Sequence, residues 1–186
     1  NAVPGLRYYP SPLGAHKEER KLYITRDPMC SSLYEPNDTL NKNYFAHEAG
    51  DLQSIEKIQT VALDDFCNDH DIKDVDFIKI DTQGAELEIF QGGDNTVSNA
   101  VMLVSEVEFI KMYKHQPLYH DVARHLKERA FILYRLMGLC GRALKPALLD
   151  NNVFAPSQLM FTDAIFIKNI YKPDSLSSEQ LLKLGI

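Results

Sequence analysis

The segment Asp76-Phe77-Ile78-Lys79-Ile80-Asp81-Thr82-Gln83-Gly84-Ala85-Glu86-Leu87-Glu88-Ile89-Phe90-Gln91-Gly92 constrains the fold of this chain more than any other. It reads as a strand, a sharp turn and a helix. Phe77 to Ile80 is a short apolar run broken only by Lys79, which suits a central strand covered on both faces. Asp81 follows at its carboxyl end. Gly84 permits a tight backbone path, and Ala85, Leu87, Glu88 and Gln91 favour a helix that Gly92-Gly93 ends. Such a unit belongs to an open α/β sheet, where ligands bind outside the carboxyl ends of the strands. Asp81 is therefore the first candidate site residue.

Two acidic neighbours extend that candidate. Ala100 to Val104 is the next buried strand, running into Ser105-Glu106-Val107-Glu108, so Glu106 lies where Asp81 lies, at a carboxyl end. Glu106 and Glu108 share one face by the two-residue period, which places at least one of them at the rim. Lys79 shares a strand face with Asp81, and a nearby ammonium keeps a carboxylate ionised. Glu86, one helical step on, is suited to accept from backbone N–H groups at the helix start. Asp64-Asp65 invites a metal reading, but acid in the first turn of a helix beginning at Leu63 is favoured by the macrodipole alone. His115, His120 and His125 recur every fifth residue, which does not align them on one helical face.

Composition narrows the class. The chain has 186 residues, 45% hydrophobic and 25% charged, enough for one domain with a real core and unlike a disordered or coiled-coil chain. Its formal net charge of −6 comes without a Lys/Arg run, so no nucleic-acid partner is expected. No apolar stretch approaches the roughly 18 residues of a membrane span. Asn1-Ala2-Val3-Pro4 does not read as a signal peptide, and Cys30, Cys67 and Cys140 are isolated from one another, which points to reduced thiols in the cytoplasm.

Elsewhere the pattern is plainer. Leu6 to Tyr9 and Lys21 to Thr25 read as two β-prone runs joined by a charged hairpin turn over His16 to Arg20. Ser31 and Ser32 follow in a loop, where turn formation competes with a ligand role. Glu35 to Asp51 reads as a mobile loop able to cover an acceptor site. Ile58 to Ala62 is extended, and His120-Asp121 opens a helix with Val122, Leu126 and Ala130 on its apolar stripe. Phe131 to Leu136 and Leu159 to Ile167 are the last strands. The connection between them through Pro146 and Pro156 lacks a convincing helix, which makes them antiparallel. Ser175 to Leu184 reads as a capped helix, giving a domain over 1–174 and a helix over 175–186 that starts a truncated or following segment.

Thr60-Val61-Ala62-Leu63-Asp64-Asp65-Phe66 followed by Ile78-Lys79-Ile80-Asp81-Thr82-Gln83-Gly84-Ala85-Glu86 resembles the FkbM-type S-adenosylmethionine-dependent methyltransferases. Cys30-Ser31-Ser32-Leu33, Ser105-Glu106 and Phe161 to Phe166 extend the likeness over most of 6–170. The family's opening third is missing: no strand here runs into a Gly-rich turn, and none ends in the acid expected to hold a ribose. The resemblance implies a partial class I, Rossmann-like, doubly wound α/β sheet with a reversed last strand. It also implies S-adenosyl-L-methionine as cofactor, touched by Gln83, Gly84 and Ser32, with Asp81 as the leading catalytic residue and Glu106 second.

The implied reaction is O-methyl transfer to a hydroxyl of a sugar or polyketide-like small molecule. Activity of this length of chain alone is doubtful, and the bare edge of the Phe77 strand calls for upstream residues, a second copy or a swapped element to complete the sheet. A different class stays open. Phosphoacceptor signalling domains also combine an acidic pair, a strand-end Asp and a Lys, although here Asp64-Asp65 opens a helix and Lys79 precedes Asp81. An inactive methyltransferase-like scaffold is the remaining alternative.

Overall fold

The computed structural model describes residues 5–185. In chain order it contains β1 (Leu13–Gly14), β2 (Glu19–Thr25), α1 (Asp38–Asn43), β3 (Leu52–Gln59), β4 (Val61–Ala62), α2 (Leu63–Asp69), β5 (Phe77–Ile80), α3 (Glu86–Gly92), α4 (Asp94–Asn99) and β6 (Met102–Glu108). Then come α5 (Tyr119–Glu128), β7 (Phe131–Arg142), β8 (Gln158–Lys168) and α6 (Ser178–Leu184). The result is a mixed α/β fold.

A four-stranded sheet in the order β5-β6-β8-β7 carries the core. β5 and β6 are parallel, with Phe77 opposite Met102 and Ile80 opposite Ser105. β8 is antiparallel to both neighbours, so Glu106 and Met137 both stand opposite Asp163. The antiparallel pairing of the last two strands is as expected from a connection without a helix. β6 is buried along most of its length, and Leu103, Val107, Phe90, Ile89, Leu126, Phe131 and Phe166 form one apolar cluster around it. Burying each such side chain contributes about 1.5–3 kcal/mol.

β5 departs from expectation. It is the edge strand, Phe77 is 51% exposed, and Ile80 is its one buried residue. Central-strand hydrophobicity is present, but among the described residues β6 is its one strand partner.

The amino-terminal readings also change. Leu6 to Tyr9 forms no strand, and β2 pairs instead with β3, antiparallel, from Glu19 opposite Gln59 to Thr25 opposite Leu52. Pro10 and Pro12 lack the N–H that a ladder needs, whereas β3 offers a continuous one. The expected mobile loop over 35–51 holds α1, capped by the Asn37 side chain, and a 3-10 turn over Glu48–Gly50. α4 was not anticipated. Its first turn is held by Asp64, which accepts from Asn95 N–H at 2.9 Å and Thr96 N–H at 2.8 Å and from both side chains. Burial pushes this carboxyl up, but the four bonds outweigh it and hold Asp64 below its ordinary value. Asp64 thus caps another helix as well as opening its own.

α6 begins later than expected, with Ser177 as the capping residue in a reciprocal pair with Gln180. It docks by Lys183 to Asp76 at 2.5 Å and by the Gln180 amide to the end of α4. No helix among the described residues is long and apolar enough to cross a membrane.

Candidate active site

The parallel register of β5 and β6 sets Asp81 and Glu106 side by side at the carboxyl ends, and one side chain joins them. Gln83 Nε2 donates to Asp81 Oδ1 at 2.9 Å and to Glu106 Oε1 at 3.0 Å. Both amide protons are thereby engaged, and Gln83 Oε1 accepts from Tyr113 Oη at 2.9 Å. Tyr113 Oη is also 2.8 Å from Cys30 O, and burial raises the phenol far above its ordinary value, so it remains a donor.

The turn that presents Gln83 is built from two successive residues with positive φ, 57° at Gln83 and 99° at Gly84. A side chain at Gly84 would meet Gln116 Nε2 at 3.1 Å as well as lie in the region L residues avoid. Ser32 Oγ donates to Gln83 O at 2.6 Å and accepts from Tyr34 N–H at 3.0 Å. At 1% exposure this hydroxyl shapes the turn. The hydroxyl expected to touch the cofactor is engaged here by the turn that presents Gln83. Glu86 acts as anticipated at the helix start, accepting from Thr82 N–H at 2.7 Å and Thr82 Oγ1 at 3.0 Å.

Lys79 Nζ lies 3.0 Å from Asp163 Oδ1 and 3.5 Å from Asp81 Oδ2, so the ammonium serves two carboxylates. Asp163, on β8, thus meets the ammonium beside Asp81. Among the described residues, no cation makes an ion pair with Glu106. Burial and then the charges of Asp81, Glu86 and Asp163, opposed by Lys79, push its carboxyl up to about 7. Behind it, Glu108 is 2% exposed, one of its oxygens and the Gln116 amide nitrogen lack hydrogen-bond partners among the described residues, and burial with the charges of Glu86 and Glu106 raises it well above the carboxylate range.

Asp81, Gln83 and Glu106 face a cavity of about 290 Å³. Met112, Met160 and Phe161 give it apolar walls, and Arg142 and His47 border it. The 36–50 segment closes one side, fastened where Phe45 N–H donates to Ala143 O at 3.1 Å and Lys145 N–H to Asn43 O at 2.7 Å. A larger polar groove of about 560 Å³ lies by Asp76, Asn95 and Lys183, at the start of β5 and away from the strand-end acids. Among the described residues no group of three or more His, Cys, Asp or Glu is arranged to hold a metal ion. Tyr113, Gln116 and Arg142 were not foreseen. The 109–118 connection has no periodicity to betray a buried Tyr, and Arg142 ends a strand whose pattern says nothing of a cavity.

No solved structure matches the chain. It is similar to the 2-O-methyltransferase NoeI of Sinorhizobium fredii (strain NBRC 101917 / NGR234), 25% identical over 88 residues, which is 47% of this chain and 35% of NoeI. The match thus spans about a third of that relative's length. The family model described as the methyltransferase FkbM domain matches residues 5–133, from before β1 through the strand-end acids and into β7. The chain belongs to the FkbM methyltransferase family.

Proposed function

We propose that this chain forms the acceptor side of an S-adenosylmethionine-dependent O-methyltransferase built on a partial Rossmann-like class I sheet. The reversed β8 between β6 and β7 supports the sheet reading, and the family supports the chemistry. One observation carries the site: two carboxyl groups bridged by a single amide at the ends of parallel strands, facing one cavity, with burial and neighbouring charge pushing one of them up to about 7.

The donor set suits the cofactor, because Asp81 and Glu106 offer negative charge to a sulfonium and the Gln83-Gly84 turn offers backbone and amide groups beside it. When bound, S-adenosylmethionine supplies an electrophilic methyl. The residues of this chain do the rest. A hydroxyl is a poor nucleophile until its proton is withdrawn, and a base with a pKa near the working pH does this best. Glu106 is that base, accepting the hydroxyl proton on its carboxylate. Asp81, beside Lys79, stays in place to accept a hydrogen bond and orient the acceptor oxygen, and positioning of this kind supplies much of the effect in a displacement. Gln83 fixes the separation of the two acids. The apolar walls favour a natural-product-like body, or a sugar carrying one, over a bare sugar. Three cysteines without a disulfide fit a reducing cytoplasm.

The phosphoacceptor alternative needs Asp64-Asp65 beside Asp81, whereas Asp64 is engaged by the start of α4 and Lys79 by Asp163. The test is isosteric Asp81→Asn in the methyl-transfer reaction. Turnover should fall by about 10²–10⁴ with cofactor affinity and melting temperature nearly unchanged. A variant that melts lower yet turns over normally would reduce Asp81 to a structural turn residue. Wild type treated with a chelator should keep its activity if the charge serves the acceptor directly.

A further inference from the structure

The cavity has an electrical direction that the methyl-transfer reading does not use. Its acidic end is the Asp81–Gln83–Glu106 bridge. Arg142, the last residue of β7, borders it elsewhere. Glu106 and Met137 stand on the same row across β8, and Arg142 is five residues beyond Met137, roughly 16 Å along the strand at 3.3 Å per residue before the bulges of β7 shorten it. The guanidinium and the acid pair therefore lie toward opposite ends.

Arg142 is held but not neutralised. Its Nη1 donates to Gly141 O at 2.9 Å, its Nε to Ala46 O at 3.4 Å, and its guanidinium carbon sits 4.9 Å from the centre of the Phe154 ring. Ala46 has φ 51°, an unfavourable value for a residue with a side chain, in the segment whose carbonyl meets the guanidinium. Among the described residues, no carboxylate makes an ion pair with Arg142. A guanidinium carries five donors in a planar fork matched to carboxylate or phosphate, and two are used by carbonyls here. Burial first, and the Arg142 charge after it, hold the neighbouring His47 below the ordinary imidazole value. Arg142, Met160 and Phe161 all fall outside the 5–133 region that matches the family model.

Resting on the acceptor-site reading above, we infer that the cavity selects hydroxylated acceptors bearing an anionic group, a carboxylate or a phosphate, at the end remote from the reacting hydroxyl, with Arg142 as its receptor. The same polarity orients the molecule. An anion is repelled from Asp81 and Glu106 and drawn to the guanidinium, which leaves the hydroxyl at the acids and the apolar body against Met112, Met160 and Phe161.

The experiment needs no methyl donor. 4-Hydroxyphenylacetate, 4-hydroxyphenyl phosphate and the neutral 4-hydroxyphenylacetamide are titrated into the 186-residue chain at pH 8 by calorimetry and ligand-observed NMR. At least one anionic probe should bind about tenfold or more tighter than the amide, as a charge-assisted bidentate contact implies, and the two anionic arms distinguish carboxylate from phosphate. Arg142→Met should erase that advantage with an unchanged circular dichroism spectrum, and Arg142→Lys should keep part of it. Equal binding of the amide, no binding of either anion, or an advantage that survives Arg142→Met would overturn the inference. Charge discrimination of this kind, with no methyl transfer even when upstream residues or a second copy complete the sheet, would retain the anion receptor and overturn the methyl-transfer reading instead.

Discussion

Glu106 and Glu108 stand two residues apart on one strand face, and their surroundings give them different tasks. Glu106 opens on the cavity with one hydrogen bond from Gln83, and Glu108 is sealed behind it with an unpartnered oxygen. Glu108 is raised well above its unfolded value, so the native state binds that proton more tightly, and the associated stability is present at low pH and lost as pH rises from about 4.3, the unfolded Glu value, toward the folded one. Glu108→Gln removes the ionisation and keeps the shape. We expect it to melt higher than wild type at pH 8, with little difference at pH 4, by calorimetry at both values. An equal shift at both pH values would assign the effect to packing. The two-residue period in the sequence already put these acids on one face, with at least one at the rim. Which of them is buried was not legible, because that depends on Tyr113 and Gln116 arriving from a connection without pattern.

The elements that were legible are those whose own residues decide them. β5, α3 and β6 follow from local apolar runs and the Gly-bounded turn, and the β7–β8 pairing follows from a connection too irregular for a crossover. α1 was missed, and β3 was read only at its end, within the extended Ile58 to Ala62, because little local marks them: β3 is mostly exposed, and α1 depends on an Asn37 cap inside a polar stretch. The joint between elements makes two predictions. Asp64→Ala strips four hydrogen bonds from the start of α4 and should cost about 1 kcal/mol, as loss of a cap does, read as a lower urea midpoint with an unchanged slope. Gly92→Ala places a methyl 2.6 Å from Gly14 O and 2.7 Å from Ala15 O, so backbone must move. That variant should lose about 1–3 kcal/mol by the same measurement. A wild-type midpoint for Gly92→Ala would show that α3 and the β1 segment are not in close contact.

At the scale of the molecule, the half-exposed Phe77 on an edge strand asks for a further strand, since open apolar edges invite pairing. The 186-residue chain by itself is expected to self-associate in sedimentation equilibrium and to bind S-adenosylmethionine weakly in calorimetry. A stable monomer that binds the cofactor tightly would show that neither the edge nor the cofactor site requires more than these residues. The account as a whole rests on Glu106 as the proton acceptor at the strand ends, and its pH–rate profile tests this most directly. A base with a pKa of about 7 must be ionised to work, so kcat/KM for methyl transfer should rise through a limb centred near pH 7 and level above it. In Glu106→Gln that limb should vanish, with the rate lower by about 10²–10⁴ at the plateau. A limb near pH 7 that persists in Glu106→Gln, or a variant as active as wild type, would contradict the central claim.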